Sequence, residues 1–470
     1  MQASDETGAC IFLRKDVPIL LARLTLSYSR TDFIPRYIFM LKVQLPLHLT
    51  VLSVCLLVSL LSLPGLAQNI QLDPTFGVGG KVTVGFSDTG LRDSFGYRVF
   101  AQPSGRIVVV GGHLSGGQFG TLGIAACGLT SAGVLDAGFG NGGKTLEMNS
   151  SGVRVVQQLS NGQFLRLNNA GSFPLTTVVN RLNSNGSVDS SFAANLNVGS
   201  DTTPVSMTTR SDGKIVVLLR GVGADDSQWL VRLNADGSRD ASFGGNGVLL
   251  LNLRRLSRSA AIGLHVLPDN RILIGGYLST SGAPSGGNVA WAALVDEMGN
   301  YDRRFGLQGV VRIPFVGGVR ISKTLLQPDG KLLLIGHAYG AANSRFLILR
   351  LTNRGRLDPS FGQNGISIAP NITPDSFDVG YSGAFMSDGR IAVVGTYAST
   401  QTSPAVVLVA RFGSSGFRES YALTQFTPDQ NSFANDVAIQ PDGKLVVAGY
   451  TRNPDVSADG NLFAIARYTQ

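Results

Sequence analysis

Charge, cysteine, histidine and tryptophan are all scarce in this chain. Only 15% of its 470 residues are charged, and it holds 3 Cys, 4 His and 2 Trp. Globular proteins average about 25% charged residues, so this surface is lightly charged. With 43% hydrophobic residues the composition excludes a disordered polyelectrolyte and allows a large core. No run of Lys and Arg exceeds a pair, and aromatics are not interleaved with basic clusters, so no nucleic-acid partner is expected. HExxH, CxxC and GxSxG motifs are missing, and nothing calls for a cofactor or metal. What is abundant is glycine, 59 residues, without the Gly-x-y period of collagen. That suits an all-β chain with many tight reversals.

The N-terminus divides the chain. A 13-residue apolar stretch from Val51 to Leu63 follows Lys42 and precedes Pro64-Gly65-Leu66-Ala67, the three-region layout of a secretory signal peptide. Residues 40–67 are therefore read as a signal peptide cut after Ala67, and residues 1–39, ahead of Met40, as an unstructured extension or a mis-called start. An uncleaved anchor over Leu45 to Leu66 is the competing reading. Processing leaves a net charge of +6 and Cys127 alone of the three cysteines, so no intramolecular disulfide forms. Cys127 lies in an apolar segment and is expected to be a buried hydrophobe.

Residues 68–470 repeat one unit. A turn flanked by apolar residues occurs as Gln102-Pro103-Ser104-Gly105, Gln327-Pro328-Asp329-Gly330 and Gln440-Pro441-Asp442-Gly443, with weaker copies centred on Gly162, Gly213, Asn270 and Gly389. An LDxSFG-like element places an aromatic at Phe76, Phe139, Phe192, Phe243, Phe305, Phe361 and Tyr421. Pro presets φ in the first element and Gly accepts its positive φ. Apolar runs such as Ile107 to Val110 and Leu332 to Ile335 are short and β-branched or aliphatic, and read as strands buried on both faces. Seven copies of several short strands predict a seven-bladed β-propeller with four-stranded antiparallel blades. The chain stops after three strands of its last unit, so the N-terminal strand is expected to complete the last blade and close the ring.

These LDxSFG and QPDGK segments resemble the delta-60 repeat, a bacterial β-propeller repeat family of undefined function, over about residues 70–470. The resemblance implies the fold and no reaction. It also implies a bacterial address, so with the leader the protein is expected to be secreted, periplasmic or at the cell surface.

The Asp of LDxSF recurs at positions 73, 136, 189, 240, 302 and 358 and invites a catalytic reading. Arg181, Arg232 and Arg350 each precede one of them by eight residues across a turn, so cross-strand ion pairs are the preferred reading. Turns such as Asn234-Ala235-Asp236-Gly237 invite a calcium reading, and Asp455-Val456-Ser457-Ala458-Asp459-Gly460 copies the first half of a calcium loop, but Ala466 stands where the bidentate Glu would complete the coordination, and a plain hairpin turn is preferred. Recognition is expected where copies diverge. Turns between the first and second strands are uniform, whereas the second-to-third connections differ, at residues 113–120, 221–228, 278–288, 338–344 and 451–461. At the exit of each second strand stand Gly112, Asn169, Arg220, Tyr277, His337, Thr396 and Tyr450. The six with functional side chains form the candidate ligand-binding ring, mixing aromatic and polar groups as a sugar or peptide site does. The expected function is a secreted or cell-envelope binding or scaffold module, monomeric, without a membrane span after processing and without assigned catalysis. It would meet a glycan, a peptide or a partner protein on the variable-loop face. The alternative is a cell-envelope enzyme acting on polysaccharide or peptide through carboxylates at the channel mouth.

Overall fold

The computed structural model describes residues 69–86, 92–115, 121–148, 153–170, 176–198, 201–221, 227–251, 259–278, 289–315, 317–340, 343–454 and 460–470. The expected leader, the extension before it and the middles of most divergent loops lie outside these residues.

Among the described residues there are only strands and turns. β1 (Gln71–Leu72) and β2 (Lys81–Val84) come first. β3 (Arg92–Ala101), β4 (Ile107–Ser115), β5 (Thr121–Leu129) and β6 (Lys144–Met148) form a four-stranded antiparallel meander. The next is β7 (Val153–Gln158), β8 (Phe164–Ala170), β9 (Thr176–Leu182) and β10 (Val188–Asn195). Then come β11 (Thr202–Thr209), β12 (Ile215–Gly221), β13 (Gln228–Leu233) and β14 (Val248–Leu251). A fourth meander is β15 (Ser259–Val266), β16 (Ile272–Leu278), β17 (Val289–Val295) and β18 (Val310–Pro314). An eight-stranded sheet follows. It comprises β19 (Val319–Leu326), β20 (Leu332–Tyr339), β21 (Ser344–Leu351), β22 (Ile366–Ile368), β23 (Phe377–Phe385), β24 (Ile391–Ala398), β25 (Val406–Phe412) and β26 (Arg418–Thr424). Finally β27 (Ser432–Ile439), β28 (Leu445–Arg452) and β29 (Asn461–Thr469) join β1 and β2 in a five-stranded sheet.

Two expectations are corrected here. The hydrogen-bonded sheets number six and not seven, and they are not uniformly four-stranded. One parallel pair, Ser344 with Phe377, links β21 to β23 in the eight-stranded sheet. The cause lies in the segment between β22 and β23, which is held back against β21. Ala369 N donates to Phe346 O at 3.0 Å, and Asn371 Nδ2 donates to Ser344 O at 3.2 Å and Ser376 O at 2.7 Å. Nor does one N-terminal strand close a four-stranded blade. Two short strands, β1 and β2, pair separately with β29, opposite Tyr468–Thr469 and Phe463–Ala466. Between them the chain leaves the ladder for a turn in which Gly77, Gly79 and Gly80 hold φ of +54°, +58° and +86°, a conformation residues with a Cβ resist.

The first strands β3, β7, β11, β15, β19, β23 and β27 pack beside one another in that order, and β27 packs in turn against β3. Apolar clusters fill the spaces between sheets. One joins Val109 and Cys127 to Val446 and Ile465, seating the five-stranded sheet on the first meander. Six of the LDxSFG aromatics are wedges: Phe76, Phe139, Phe192, Phe243, Phe305 and Phe361 are at most 2% exposed, whereas Tyr421 is 43% exposed. A wedge lies beneath the turn glycine of the following unit, as Phe361 does beneath Gly416, where an added Cβ would come within 2.7 Å of the ring.

Candidate functional site

The repeated aspartates have a defined occupation. Arg181, Arg232 and Arg350 on the third strands meet Asp189, Asp240 and Asp358 at 2.7, 2.6 and 2.9 Å, the pairs expected from the spacing. Arg467 and Asp73 repeat the arrangement at 2.8 Å. The first turn adds a second cation, Lys214 at 2.7 Å from Asp240 and Lys444 at 3.1 Å from Asp73. Burial pushes the Asp240 carboxyl up, but hydrogen bonds from Lys214, Ser242 and Arg232 outweigh it and hold the group far below the usual carboxylate range. Each arginine also lies over its wedge ring, 4.4 Å for Arg350 and Phe361, and Arg350 donates to Ser414 O of the following turn at 2.9 Å. These carboxylates tie third strand, wedge and neighbouring turn together. Asp236, of the turn that invites a calcium reading, accepts from Ser238 N at 2.9 Å and Ser238 Oγ at 2.7 Å, as a turn aspartate does, while residues 455–459 of the half calcium loop lie outside the described residues.

The candidate ring residues occupy equivalent register positions but unequal surroundings. Arg220 pairs with Thr203, Tyr277 with Ala260, His337 with Arg320, Thr396 with Val379 and Tyr450 with Phe433, each across the first two strands of its unit. Asn169 is buried, with Nδ2 donating to Thr202 O at 3.1 Å and Oδ1 accepting from Thr177 Oγ1 at 2.9 Å. His337 is buried edge-on to Tyr339, with Nε2 2.9 Å from the phenol oxygen. Burial, and then the charge of Arg320, lowers its pKa to about 4, so the ring is neutral at pH 7. Thr396 is buried, Tyr277 half-buried against an apolar cluster, and Arg220 exposed. Two clefts, of about 720 and 600 Å³, are lined by none of the six.

Tyr450 stands in a different setting. Its ring stacks on Phe433 at 4.7 Å and meets Phe95 edge-on at 4.9 Å, and Phe95 is parallel to Tyr97 at 6.3 Å. All four are half-buried. Burial, then the phenols of Tyr381 and Tyr97, push the Tyr450 hydroxyl up to about 12. The first strands explain why these side chains converge. β3 and β23 each carry a bulge, between Gly96 and Arg98 and between Gly380 and Ser382, and the extra residues are Tyr97 and Tyr381. Opposite Phe95 stands Gly112, whose missing side chain leaves room for Tyr97: a Cβ there would lie 3.0 Å from its ring. Reading only the ends of second strands finds Tyr450 and misses Phe95, Tyr97, Tyr381 and Phe433. Their signal is an aromatic at or beside the bulge of a first strand.

The residues after those bulges are polar. Asp436 accepts from Ser382 Oγ at 2.6 Å and Val99 N at 3.2 Å, and Lys323 Nζ lies 3.8 Å away. Four first strands are thereby tied together. Burial lowers the pKa of Lys323 against the attraction of Asp436, with Arg98 adding to the lowering. His265 Nε2 lies 2.8 Å from Thr324 Oγ1, and burial, then Lys323, lowers its pKa to about 4. Cys127 is fully buried and burial pushes its thiol up to about 12, so it behaves as a hydrophobe.

Among the described residues no group of His, Cys, Asp and Glu is arranged to hold a metal, and no helix is long and apolar enough to cross a membrane. Four segments, residues 174–192, 227–243, 327–361 and 440–470, match the domain of unknown function (DUF5122) beta-propeller. No curated protein matches the sequence. Among solved structures the chain is similar to the beta-propeller domain of the Trilobed protease from Pyrococcus furiosus, which has an open velcro topology. That match is 8% identical, has a TM-score of 0.42, and covers 78% of this chain and 97% of the other. The matched segments support a β-propeller repeat family for this chain, without singling out the delta-60 repeat within it.

Proposed function

We propose that the protein is an exported binding or scaffold module that takes a glycan or peptide at the aromatic group formed by Phe95, Tyr97, Phe433 and Tyr450. The observation behind this reading is that four rings from two sheets converge half-buried, with a fifth, Tyr381, beside them. A fully buried aromatic group would serve packing alone. Half-buried rings backed by rigid strands offer apolar faces together with phenol donors, which suits the mixed faces of a sugar or an aromatic side chain. Arg220 and Tyr277 stand at the equivalent strand ends of other units, where Asn169, His337 and Thr396 are buried.

Screening the purified protein on glycan and peptide arrays supplies a ligand, and Tyr97→Ala with Tyr450→Ala tests the site. The double variant should keep its melting temperature within a few degrees and lose affinity at least about tenfold, the scale of two lost ring contacts. An undiminished affinity in the folded double variant, or arrays without a single ligand, would refute the reading.

A further inference from the structure

A cleft of about 720 Å³ opens on the other side of the units, lined by Asp269, Arg271, Asp302, Arg304, Arg354 and Arg356. It stands where the repeated ion-pair device is altered. In four other units an arginine on the third strand reaches the LDxSF aspartate from inside, and in the unit of Asp136 that position is Gly128 and the cation is Arg106 of the first turn; here the position is Leu294, buried and apolar. The cation comes from outside instead. Arg304, 86% exposed, binds Asp302 at 3.1 Å, from the position that holds Ser or Thr in four other copies and Gly in the fifth. The turn of the following unit departs too. It reads Thr352-Asn353-Arg354-Gly355-Arg356, and the two arginine positions hold Ala132 and Val134, Asn185 and Ser187, Asp236 and Ser238, Met298 and Asn300, and Ser415 and Phe417 in other copies.

The arginines of the cleft are not equivalent. Arg271 is held between Asp269 and Asp302, each at 2.7 Å, and Arg304 is tied to Asp302. Arg354 and Arg356 are exposed, and among the described residues their side chains make no ion pair or hydrogen bond. Four guanidinium groups thus face two carboxylates, both already engaged, and the surplus charge sits on the two arginines without partners. Neither side chain helps to hold the turn, whose bonds run from Thr352 N to Arg356 O at 2.7 Å, Gly355 N to Thr352 O at 2.9 Å and Arg356 N to Thr352 Oγ1 at 3.2 Å. A planar guanidinium fork matches two oxygens of a carboxylate or phosphate.

We infer that this cleft binds a ligand bearing an oxyanion, carboxylate or phosphate, gripped by Arg354 and Arg356 with Arg304 at the rim. Its volume falls within the range of about 300 to 1,000 Å³ of sites that enclose small molecules, so the ligand is larger than a bare ion.

Calorimetric titration of the full chain with trigalacturonate and with tripolyphosphate tests this and separates the two oxyanion sources, with neutral maltotriose as control. At least one anionic probe should bind at about 50 mM salt and weaken at about 500 mM, while maltotriose does not bind. Arg354→Gln with Arg356→Gln should lower the affinity at least about tenfold without changing the melting temperature. The corresponding double Lys variant should fall between the two, because ammonium keeps the charge and loses the fork. Arg239→Gln, outside the cleft, should stay within about twofold of the parent and so exclude general attraction to a basic protein. Failure of both anions to bind at the lower salt, or undiminished affinity in the double Gln variant, would overturn the inference.

Discussion

Replacing Asp240 by Ala isolates the energetic role of the repeated aspartate. The carboxylate accepts from Arg232 Nε at 2.6 Å, Lys214 Nζ at 2.7 Å and Ser242 Oγ at 2.6 Å. Its loss affects the two cations differently. Lys214 is 29% exposed and can turn to water, whereas Arg232 is 4% exposed and cannot. Arg232 would keep Glu297 O at 2.7 Å, Ser242 Oγ at 2.9 Å and the face of Phe243 at 4.6 Å, with no counter-charge. Leaving one member of a buried pair uncompensated costs about 3 to 5 kcal/mol, and the surviving contacts place this case near the lower end. Asp236→Ala is the comparison, since that exposed carboxylate bonds only within its turn and its loss should be much the milder of the two. Urea unfolding followed by the fluorescence of Trp229 and Trp291, checked against circular dichroism for coincidence, gives both values. A third variant, Arg232→Met with Asp240→Leu, removes both charges and should be less destabilised than Asp240→Ala alone, because matched apolar groups replace a buried pair at little cost. Equal destabilisation by Asp240→Ala and Asp236→Ala would refute the reasoning, since it would show Arg232 indifferent to its partner.

Acid should unfold the protein through the same groups. Hydrogen bonds from Arg304 lead in lowering Asp302 to about 2, and at Asp358 the bonds from Ser360 and Lys331 outweigh burial to give about 2, against an ordinary 3.8. Folded carboxyls that titrate below their unfolded value stabilise fully above about pH 4 and lose that contribution as the pH falls from there toward 2. Melting temperature measured from pH 6 to pH 2 should drop over that window, and a flat profile there would contradict the assignment. Phe361→Ala, which empties a fully buried wedge, should cost about 3 to 5 kcal/mol, whereas Tyr421→Ala at the corresponding but exposed position should cost under about 1 kcal/mol. Similar denaturation midpoints for the two variants would show that the six buried aromatics are not the wedges described.

The strand pattern was legible because it rests on local chemistry. The Pro-Asp-Gly turns need a particular φ sequence, and runs such as Leu332 to Ile335 are apolar on both faces because a sheet covers each. The Arg–Asp pairs were legible for a related reason: eight residues across a tight turn leave little choice of partner. The fusion of β21 with β23 was not, because it depends on Asn371 and Ser376 folding a connection back onto Ser344, and polar residues in a loop carry no fixed direction. The exception at Tyr421 was visible in part. The other wedge aromatics are followed by Gly, or by Ala at position 193, and Tyr421 by Ala422 in a unit whose Glu419 replaces the aspartate. There β26 runs on as a strand, pairing Tyr421 with Ala410 instead of turning. The candidate site was legible in register and not in burial. Equivalent positions hold an exposed Arg220 and a buried His337 because what covers each comes from the sheet beside it.

A repeat chain carries its own internal control, and that control bears on both proposed sites. Where packing sets a residue, most copies agree: the third-strand Arg–Asp pair recurs at Asp73, Asp189, Asp240 and Asp358 and the buried Phe wedge in six copies, because those units are locked to their neighbours in the same way. Selection for packing alone has no reason to place Arg304, Arg354 and Arg356 around one cleft, since other copies of the same turns fold with Ser, Ala, Asn or Met there. Nor does it require aromatic residues at the bulges of β3 and β23 when β11 and β15 accommodate Val205 and Ile262 at theirs. The departures are also spatially grouped, arginines on the side of the first turns and aromatics where the second strands end. Grouping is what a ligand imposes and what drift among repeats does not, because a ligand couples residues that the fold leaves independent. Double-mutant cycles on Arg354 and Arg356 therefore discriminate: coupling that appears only when the anionic probe is present belongs to a site, and coupling of equal size without it belongs to the turn.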